Sequence, residues 1–243
     1  MNITVVTTFS KENWEMYASR SISTWFKYFD STVKFQFHCE WEPISDPRIT
    51  YVHSSPDKEN FLSRNYAINR QYNKSRASQG YTTRWDVYCH KVFAQCEAGI
   101  NADTDLLLFL DADVACLASI TPKLLIELIE DNFCGFVGRD SPGTETGFIL
   151  YNLNKDPDRT FFKNFVNIYI NDAIFDFEQW DDCFIFDHCR TSSDLSFKNL
   201  SGKYSYFLDP IAVGPLGNYF DHWLSKKSKR QGCSKFRKFR GKI

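Results

Sequence analysis

The sequence predicts an α/β domain built around a largely parallel sheet. Short β-branched or aromatic runs alternate with segments of helical periodicity, the pattern of repeated strand-helix units. The run Leu106–Leu110 contains no polar residue, the composition of a strand buried on both faces inside a parallel sheet. At 243 residues, with 43% hydrophobic and 24% charged residues, the chain fits one globular domain, and disorder is excluded for most of it. An aromatic share of 17%, including 23 Phe, supplies more core and cleft material than an interaction scaffold of this size needs.

Ile3–Phe9 is β-branched and short, a first strand. Trp14–Phe29 places Trp14, Tyr17, Ala18, Ile22, Trp25, Phe26 and Phe29 at helical spacing. Val33–Cys39 alternates Val33, Phe35, Phe37 and Cys39 on one face, and Ile49–Val52 is a further short strand. Glu59–Tyr72 is weakly helical, and Lys74–Tyr81 is polar and reads as a loop. Thr83–Gly99 is a helix with Trp85, Tyr88, Val92 and Cys96 on one stripe and Gly99 at its end. After the strand Leu106–Leu110, Thr121 caps a helix with Pro122 near its first position. Strands at Phe133–Gly138 and Gly147–Leu153 precede a helix near Asp158–Ile170, and a short helix starts at Trp180–Asp182.

The net charge of −1 hides an asymmetry. From Lys226 onward there are nine basic residues and no acids; without those nine, 20 basic residues face 30 acidic ones, so the body carries −10. A cationic end on an acidic body predicts an anionic partner, with phosphates of a nucleotide, anionic lipid or nucleic acid as candidates. No zinc-finger or RNA-recognition signature accompanies it, so nucleic acid is not expected. The eight cysteines form no CxxC and have mostly apolar neighbours. Without a basic leader before Ile3 they read as buried, reduced thiols of a cytoplasmic protein. No apolar run approaches the roughly 20 residues of a membrane helix.

Chemistry is carried by Asp111-Ala112-Asp113, directly after Leu106–Leu110. With this many aspartates chance alone predicts about 1.6 such pairs. Three are present, the others being Asp103/Asp105 and Asp156/Asp158, so placement and not presence decides. Only Asp111/Asp113 follows a buried strand, where open α/β sheets bind ligands. Leaving an extended strand on one side with small Ala112 between them, the two carboxylates would hold a hard divalent cation and leave sites for phosphate oxygens. Asp156-Pro157-Asp158 reads as an ordinary helix start.

The stretch Cys89-His90-Lys91-Val92-Phe93-Ala94, followed by Asp103 to Val114 with its strand and D-A-D, resembles the donor half of GT-A glycosyltransferases. The nearest resemblance is to the retaining glycogenin-like and galactosyltransferase-like families and to phage or bacterial glycosyltransferases. Glu145-Thr146-Gly147-Phe148-Ile149-Leu150-Tyr151-Asn152 is similar to their acceptor-side strand, Trp180-Asp181-Asp182 to the acidic pair that follows it, and Asp221-His222 to their C-terminal histidine. The resemblance implies a single GT-A, Rossmann-like α/β domain with a mixed, mostly parallel central sheet. Residues 1–225 would form it, with a nucleotide-sugar half over about 1–115, an acceptor half over about 116–225 and a basic tail at 226–243.

Residue by residue, the resemblance implies that Asp111 and Asp113 bind Mn²⁺ or Mg²⁺ with the donor diphosphate. His222 would be the third protein ligand, and its nitrogen favours Mn²⁺. The family's Gly and Lys-Pro-Trp after that histidine are replaced here by Trp223-Leu224-Ser225-Lys226-Lys227; the basic tail would close over the pyrophosphate near Lys226–Arg230, with Lys226 and Lys227 as the candidate cations. Lys91 would face the donor. Arg84, seven helical steps earlier, returns to nearly the same face. Thr7, Thr8 and Phe9 end the first strand, where this fold holds the base and ribose.

Asp181 and Asp182 are either an N-cap pair or the carboxylates that contact the donor sugar. Glu145 binds the acceptor or serves as the base of an inverting enzyme.

The expected activity is metal-dependent transfer of a sugar, with UDP the expected carrier, to a hydroxyl of a glycan or glycolipid, with retention of configuration. Lys235–Lys242 would dock on anionic membrane. A haloacid-dehalogenase-like phosphatase with Asp111 as nucleophile shares the strand-DxD signature, but its nucleophile strand begins the domain. A nucleotidyltransferase needs a Gly-rich loop after the first strand, and residues Thr7–Trp14 contain no glycine. A non-catalytic nucleotide- or glycan-binding module is the other alternative.

Overall fold

In the computed structural model, which describes residues 1–53, 55–75, 84–139, 143–202 and 209–236, the run ITVVTT forms β1 (Ile3–Thr8), an interior strand, third in order, of a seven-stranded sheet. The others are β2 (Lys34–His38), β3 (Ile49–Val52), β4 (Leu106–Leu110), β6 (Cys134–Val137), β7 (Glu145–Asn152) and β8 (Phe197–Asn199), in the order β3-β2-β1-β4-β7-β6-β8. Every pairing is parallel except those of β7, which runs against β4 and β6. The sheet is therefore mixed and mostly parallel, as expected. The chain walks outward from β1 to β3 and then returns to the opposite side of β1. Ile3 lies opposite Leu106 and Val6 opposite Phe109, so β1 and β4 end side by side at the point where the order reverses. Such a switch point leaves a crevice beyond the strand ends.

The alternation of side chains feeds two cores. Ile3, Val5, Leu106, Leu108 and Leu110 face one side, with Ile22 and Trp25 of α2 (Ser19–Tyr28) and Leu125 and Ile129 of α5 (Pro122–Ile129). Val6, Leu107 and Phe109 face the other, with Val92 and Phe93 of α4 (Trp85–Asn101) and Phe162 and Phe165 of α6 (Thr160–Ile170). All five residues of β4 are at most 1% exposed, which accounts for its apolar composition.

The first predicted helix begins earlier than its periodicity suggests. Ser10 accepts from the Asn13 N–H to cap α1 (Lys11–Asn13); a π-helical turn, Trp14–Ala18, follows, and then α2. The next helix, α3, spans Pro56–Ser75, longer at both ends than expected; most of the predicted loop Lys74–Tyr81 lies outside the described residues. Thr121 caps α5 as expected, accepting from the Leu124 N–H at 3.2 Å.

Three strands escaped the sequence reading because each is three residues long. They are β8 and the small antiparallel ladder of β5 (Val114–Cys116) with β9 (Phe220–His222). The helices α7 (Asp182–Thr191), α8 (Pro210–Val213) and α9 (Lys226–Gln231) complete the chain. The start of the basic segment is not loose: Ser234 donates its buried N–H to Asp221, and Phe236 is buried. Of Lys235–Lys242, where membrane contact was expected, residues 237–242 lie outside the described residues. The eight cysteines are free and six are buried. Among the described residues no helix is long and apolar enough to cross a membrane.

Where α4 meets α6, a Cβ on Gly99 would come 2.5 Å from the Phe162 ring. Gly99→Ala should therefore destabilise by about 1–3 kcal/mol through overpacking, despite the higher helix propensity of alanine. Thermal unfolding checks this, and an unchanged or raised Tm would show that the ring can move aside.

Candidate metal and nucleotide site

Asp111 and Asp113 leave β4 on a tight turn and not on an extended strand. Val114 N–H bonds the Asp111 carbonyl at 2.9 Å, and Asp111 N–H is held by the Gly147 carbonyl of β7 at 3.0 Å. The turn leads straight into β5, and β9 pairs with β5 so that Val114 lies opposite His222. Trp223 N–H then bonds the Asp113 carbonyl at 3.0 Å. Two short ladders thus carry a histidine from 109 residues downstream onto the aspartate turn. One ligand atom each from Asp111, Asp113 and His222 lie within 4.8 Å of one another.

His222 is 2% exposed, and its two ring nitrogens have separate partners. Nδ1 is 3.3 Å from Asp209 Oδ1 and Nε2 is 3.4 Å from Asp113 Oδ1. Asp209 is fixed by accepting from the Ile211 N–H at the start of α8. A carboxylate behind one nitrogen fixes the ring so that the other nitrogen is aimed at the ligand position, the usual arrangement of a metal-bound histidine. Burial works against charge on the ring, but Asp209 and Asp113 override it and push His222 up to about 10. Asp113 is held well below the usual carboxylate range, against the effect of burial, by His222 and Lys229.

Asp113 Oδ1 is buried and makes no hydrogen bond of good geometry; its neighbour is His222 Nε2 at 3.4 Å, so both atoms are left to turn to a common ligand. Two carboxylates and one imidazole suit a divalent cation, and the nitrogen favours Mn²⁺ over Mg²⁺. The residues present fit such an ion.

Two cations face the aspartates. Lys91 Nζ, on α4, lies 2.9 Å from Asp111 Oδ2, 2.8 Å from Asp182 Oδ2 and 3.1 Å from Thr146 Oγ1. Thr146 donates to the same Asp182 oxygen at 2.5 Å. Burial opposes the charge on Lys91, but Asp111 and Asp182 raise its pKa well above the usual lysine value. Lys229, on α9, sits 2.8 Å from Asp113 Oδ2 and 4.3 Å from the centre of the Tyr17 ring. Burial, then Asp113 and Asp111, push the Tyr17 phenol up, so it stays neutral.

These groups open on a cavity of about 460 Å³ beyond the ends of β1 and β4, within the size range of small-ligand sites. Of the candidate residues, Thr8, Phe9, Lys91, Asp111, Ala112 and Asp113 line it.

Other expected residues are placed elsewhere. Thr7 is wholly buried inside β1 and does not line the cavity. Arg84 precedes α4 as its N-cap, outside the helical repeat, and is turned to Asp86 at 3.1 Å; the shared-face argument with Lys91 therefore fails. Lys226 and Lys227 are exposed on the first turn of α9, and Lys229, one turn further, is the cation that returns to the site. Glu145 lies beside the site and not in its lining. It is ion-paired with Arg139 and accepts from the Gly147 N–H at 3.1 Å.

The acidic pair divides: Asp181 caps α7 by accepting from the Phe184 N–H at 3.0 Å, while Asp182 is the partner of Lys91. Thr146, Asp209 and Tyr17 were not among the expected site residues. Asp209-Pro210 is a recognisable helix start, whereas nothing local marks the other two.

No protein-family model matches the chain, and no curated protein matches its sequence. Solved structures do resemble it. The galactosyltransferase LgtC, in complex with donor and acceptor sugar analogues, superposes with a TM-score of 0.55 at 14% identity over 100% of both chains. An active-site mutant of LgtC gives 0.56 at 15% identity, again over 100% of both. Mouse xyloside xylosyltransferase 1, in its apo form, gives 0.53 at 11% identity over 82% of this chain and 84% of its own. Identity this low speaks to architecture alone, and the architecture that this chain shares with all three is the GT-A glycosyltransferase fold.

Proposed function

We propose that the protein is a metal-dependent glycosyltransferase that moves a sugar from a nucleoside-diphosphate donor, UDP-linked, to a hydroxyl of a glycan or glycolipid. The observation that carries this reading is the convergence of Asp111, Asp113 and His222 at the β1/β4 switch point, beside a cavity whose lining includes Lys91 and Lys229. The donor and acceptor sugar analogues bound to LgtC support a two-sugar reaction on this fold.

A divalent cation held by Asp111, Asp113 and His222 would neutralise charge that builds on the departing diphosphate. The chain's own groups do the rest. Lys229 already sits over Asp113 and is placed to meet phosphate oxygens. Lys91 lines the cavity, and Asp111 and Asp182 hold its ammonium charged and in position. Fixed cations that meet developing negative charge in a partly dry site are the main catalytic lever for such a reaction. Thr8 and Phe9 form the wall for base and ribose, with Phe9 stacked on Trp14 at 5.3 Å between ring centres. Glu145, the candidate base of an inverting enzyme, is engaged by Arg139 away from the cavity lining, which supports a retaining course. In a phosphatase of the dehalogenase type the nucleophile strand would open the domain, whereas β4 follows three strands of the same sheet.

Thermal unfolding with UDP, GDP or CDP, each with and without Mn²⁺, tests the reading. Ligand at a hundredfold its Kd stabilises by about 2.7 kcal/mol, or roughly 5–10 °C for a domain of this size. A shift that needs both Mn²⁺ and UDP is expected. No shift with any nucleotide would remove the donor site from consideration.

A further inference from the structure

Helix α9 carries Lys229, yet little in its own sequence holds it in place. Lys226–Gln231 is six residues long and contains four cations and no acid. A helix of this length is not stable alone. Ser225 satisfies its first turn by accepting from the Ser228 N–H at 3.0 Å, and Gly232, at φ +67°, closes its end. The carbonyls of its last turn remain, and one side chain takes two of them.

Arg20, at the start of α2, donates from Nη1 to the Arg230 carbonyl at 2.9 Å and from Nη2 to the Lys229 carbonyl. The same Nη2 donates to the Met16 carbonyl at 2.9 Å, within the π-helical turn that supplies Tyr17. The guanidinium also lies 5.9 Å from the centre of the Trp223 ring, next to His222 in sequence. One guanidinium therefore ties the backbone of Lys229 to the turn whose tyrosine supports the Lys229 ammonium. A cation at a helix C-terminus is favourable in itself, and only a planar fork spans several carbonyls at once.

We propose that Arg20, which does not line the cavity, is a positioning residue of the donor site. It clamps α9 in the placement that holds Lys229 over Asp113, so its loss weakens diphosphate binding through Lys229 and not through the fold at large. This rests on the proposed role of the cavity as a nucleoside-diphosphate site.

The test is a double-mutant cycle read by titration calorimetry with UDP and Mn²⁺. Arg20→Ala should weaken binding by about tenfold. Lys229→Ala should weaken it further, and the double variant should match Lys229→Ala within about twofold. Unchanged affinity in Arg20→Ala, or an equal loss when Lys229 is already alanine, would overturn the proposal. Amide hydrogen exchange without nucleotide reads the clamp separately. Exchange at Lys229–Cys233 should speed up in Arg20→Ala and not in Lys229→Ala, and unchanged rates in Arg20→Ala also overturn it. Failure of the wild-type protein to bind any nucleoside diphosphate would instead strike the parent reading, and the exchange data would still decide whether Arg20 is a clamp.

Discussion

Asp113→Asn is expected to lower metal-dependent sugar transfer by about a thousandfold, some 4 kcal/mol of transition-state stabilisation. Asp113 is at the centre of the site: His222 Nε2 lies 3.4 Å from one oxygen and Lys229 Nζ 2.8 Å from the other. An amide keeps the shape but loses the charge, so it is a poor ligand for a hard cation. It also leaves His222 and Lys229 facing one another without the anion between them. Three measurements should therefore move together: initial rate, Mn²⁺ affinity, and the Mn²⁺-dependent rise in Tm with UDP.

Asp103→Asn is the matched control. Asp103 belongs to another DxD pair, is exposed, and lies at the opposite end of β4, so its loss should change the rate by less than about twofold. Full Mn²⁺-dependent activity in Asp113→Asn would sink the metal-site reading.

The contrast between those two pairs shows why this part of the site was legible. Identical residue pairs were separated by their neighbours, because five consecutive apolar residues mark a strand buried on both faces and the carboxylates after it have a defined exit. Lys91 was legible through the resemblance of Cys89–Ala94 and not through contrast along its helix, which is buried on most of its faces. Arg84 was not, because periodicity assumes that the helix extends back to it, and the chain leaves helical geometry at that residue. The tail misled in another way. A run of cations has no periodic contrast, so nothing within it distinguishes Lys226 and Lys227 from Lys229. Only the caps, Ser225 and Gly232, set the helix boundaries and hence which lysine turns inward.

His222 was expected beside Asp113 from the family resemblance alone, because its approach depends on β5 and β9, three residues each. Such pairing is specified by partners distant in sequence and leaves no local pattern. The π-helical turn that presents Tyr17 interrupts a segment whose spacing reads as ordinary helix. Periodicity and composition thus show what is specified along a strand or a helix, and they leave unmarked both the exact helix ends and the pairings made across the chain.

Lys91→Met should have the largest effect on stability, because Lys91 is the shared counter-ion of two carboxylates. Its side chain is 15% exposed, and that of Asp182 is 1% exposed. Methionine fills much of the same volume but leaves the Asp182 charge buried with no cation, satisfied by the Thr146 hydroxyl at 2.5 Å and the weak Cys183 thiol donor at 3.8 Å. Breaking a buried pair from one side costs about 3–5 kcal/mol, because the remaining charge stays desolvated. For a chain of this length that is a fall in Tm of roughly 10 °C. Asp111 contributes less to the loss, since its side chain is 25% exposed and can still be hydrated.

The size of the effect alone does not identify its cause, since any core substitution can destabilise. The second variant does. Lys91→Met with Asp182→Asn removes the stranded charge, and an amide can still accept from Thr146, so the pair should recover about 2 kcal/mol relative to Lys91→Met alone. Asp182→Asn on its own should destabilise, because it leaves Lys91 with Asp111 as its one remaining carboxylate partner among the described residues. A double variant no more stable than Lys91→Met would mean that packing, and not charge, makes Lys91 necessary. Recovery of stability without recovery of UDP binding would separate the two duties of this lysine: neutralising Asp182 within the fold, and presenting a fixed positive charge to the donor.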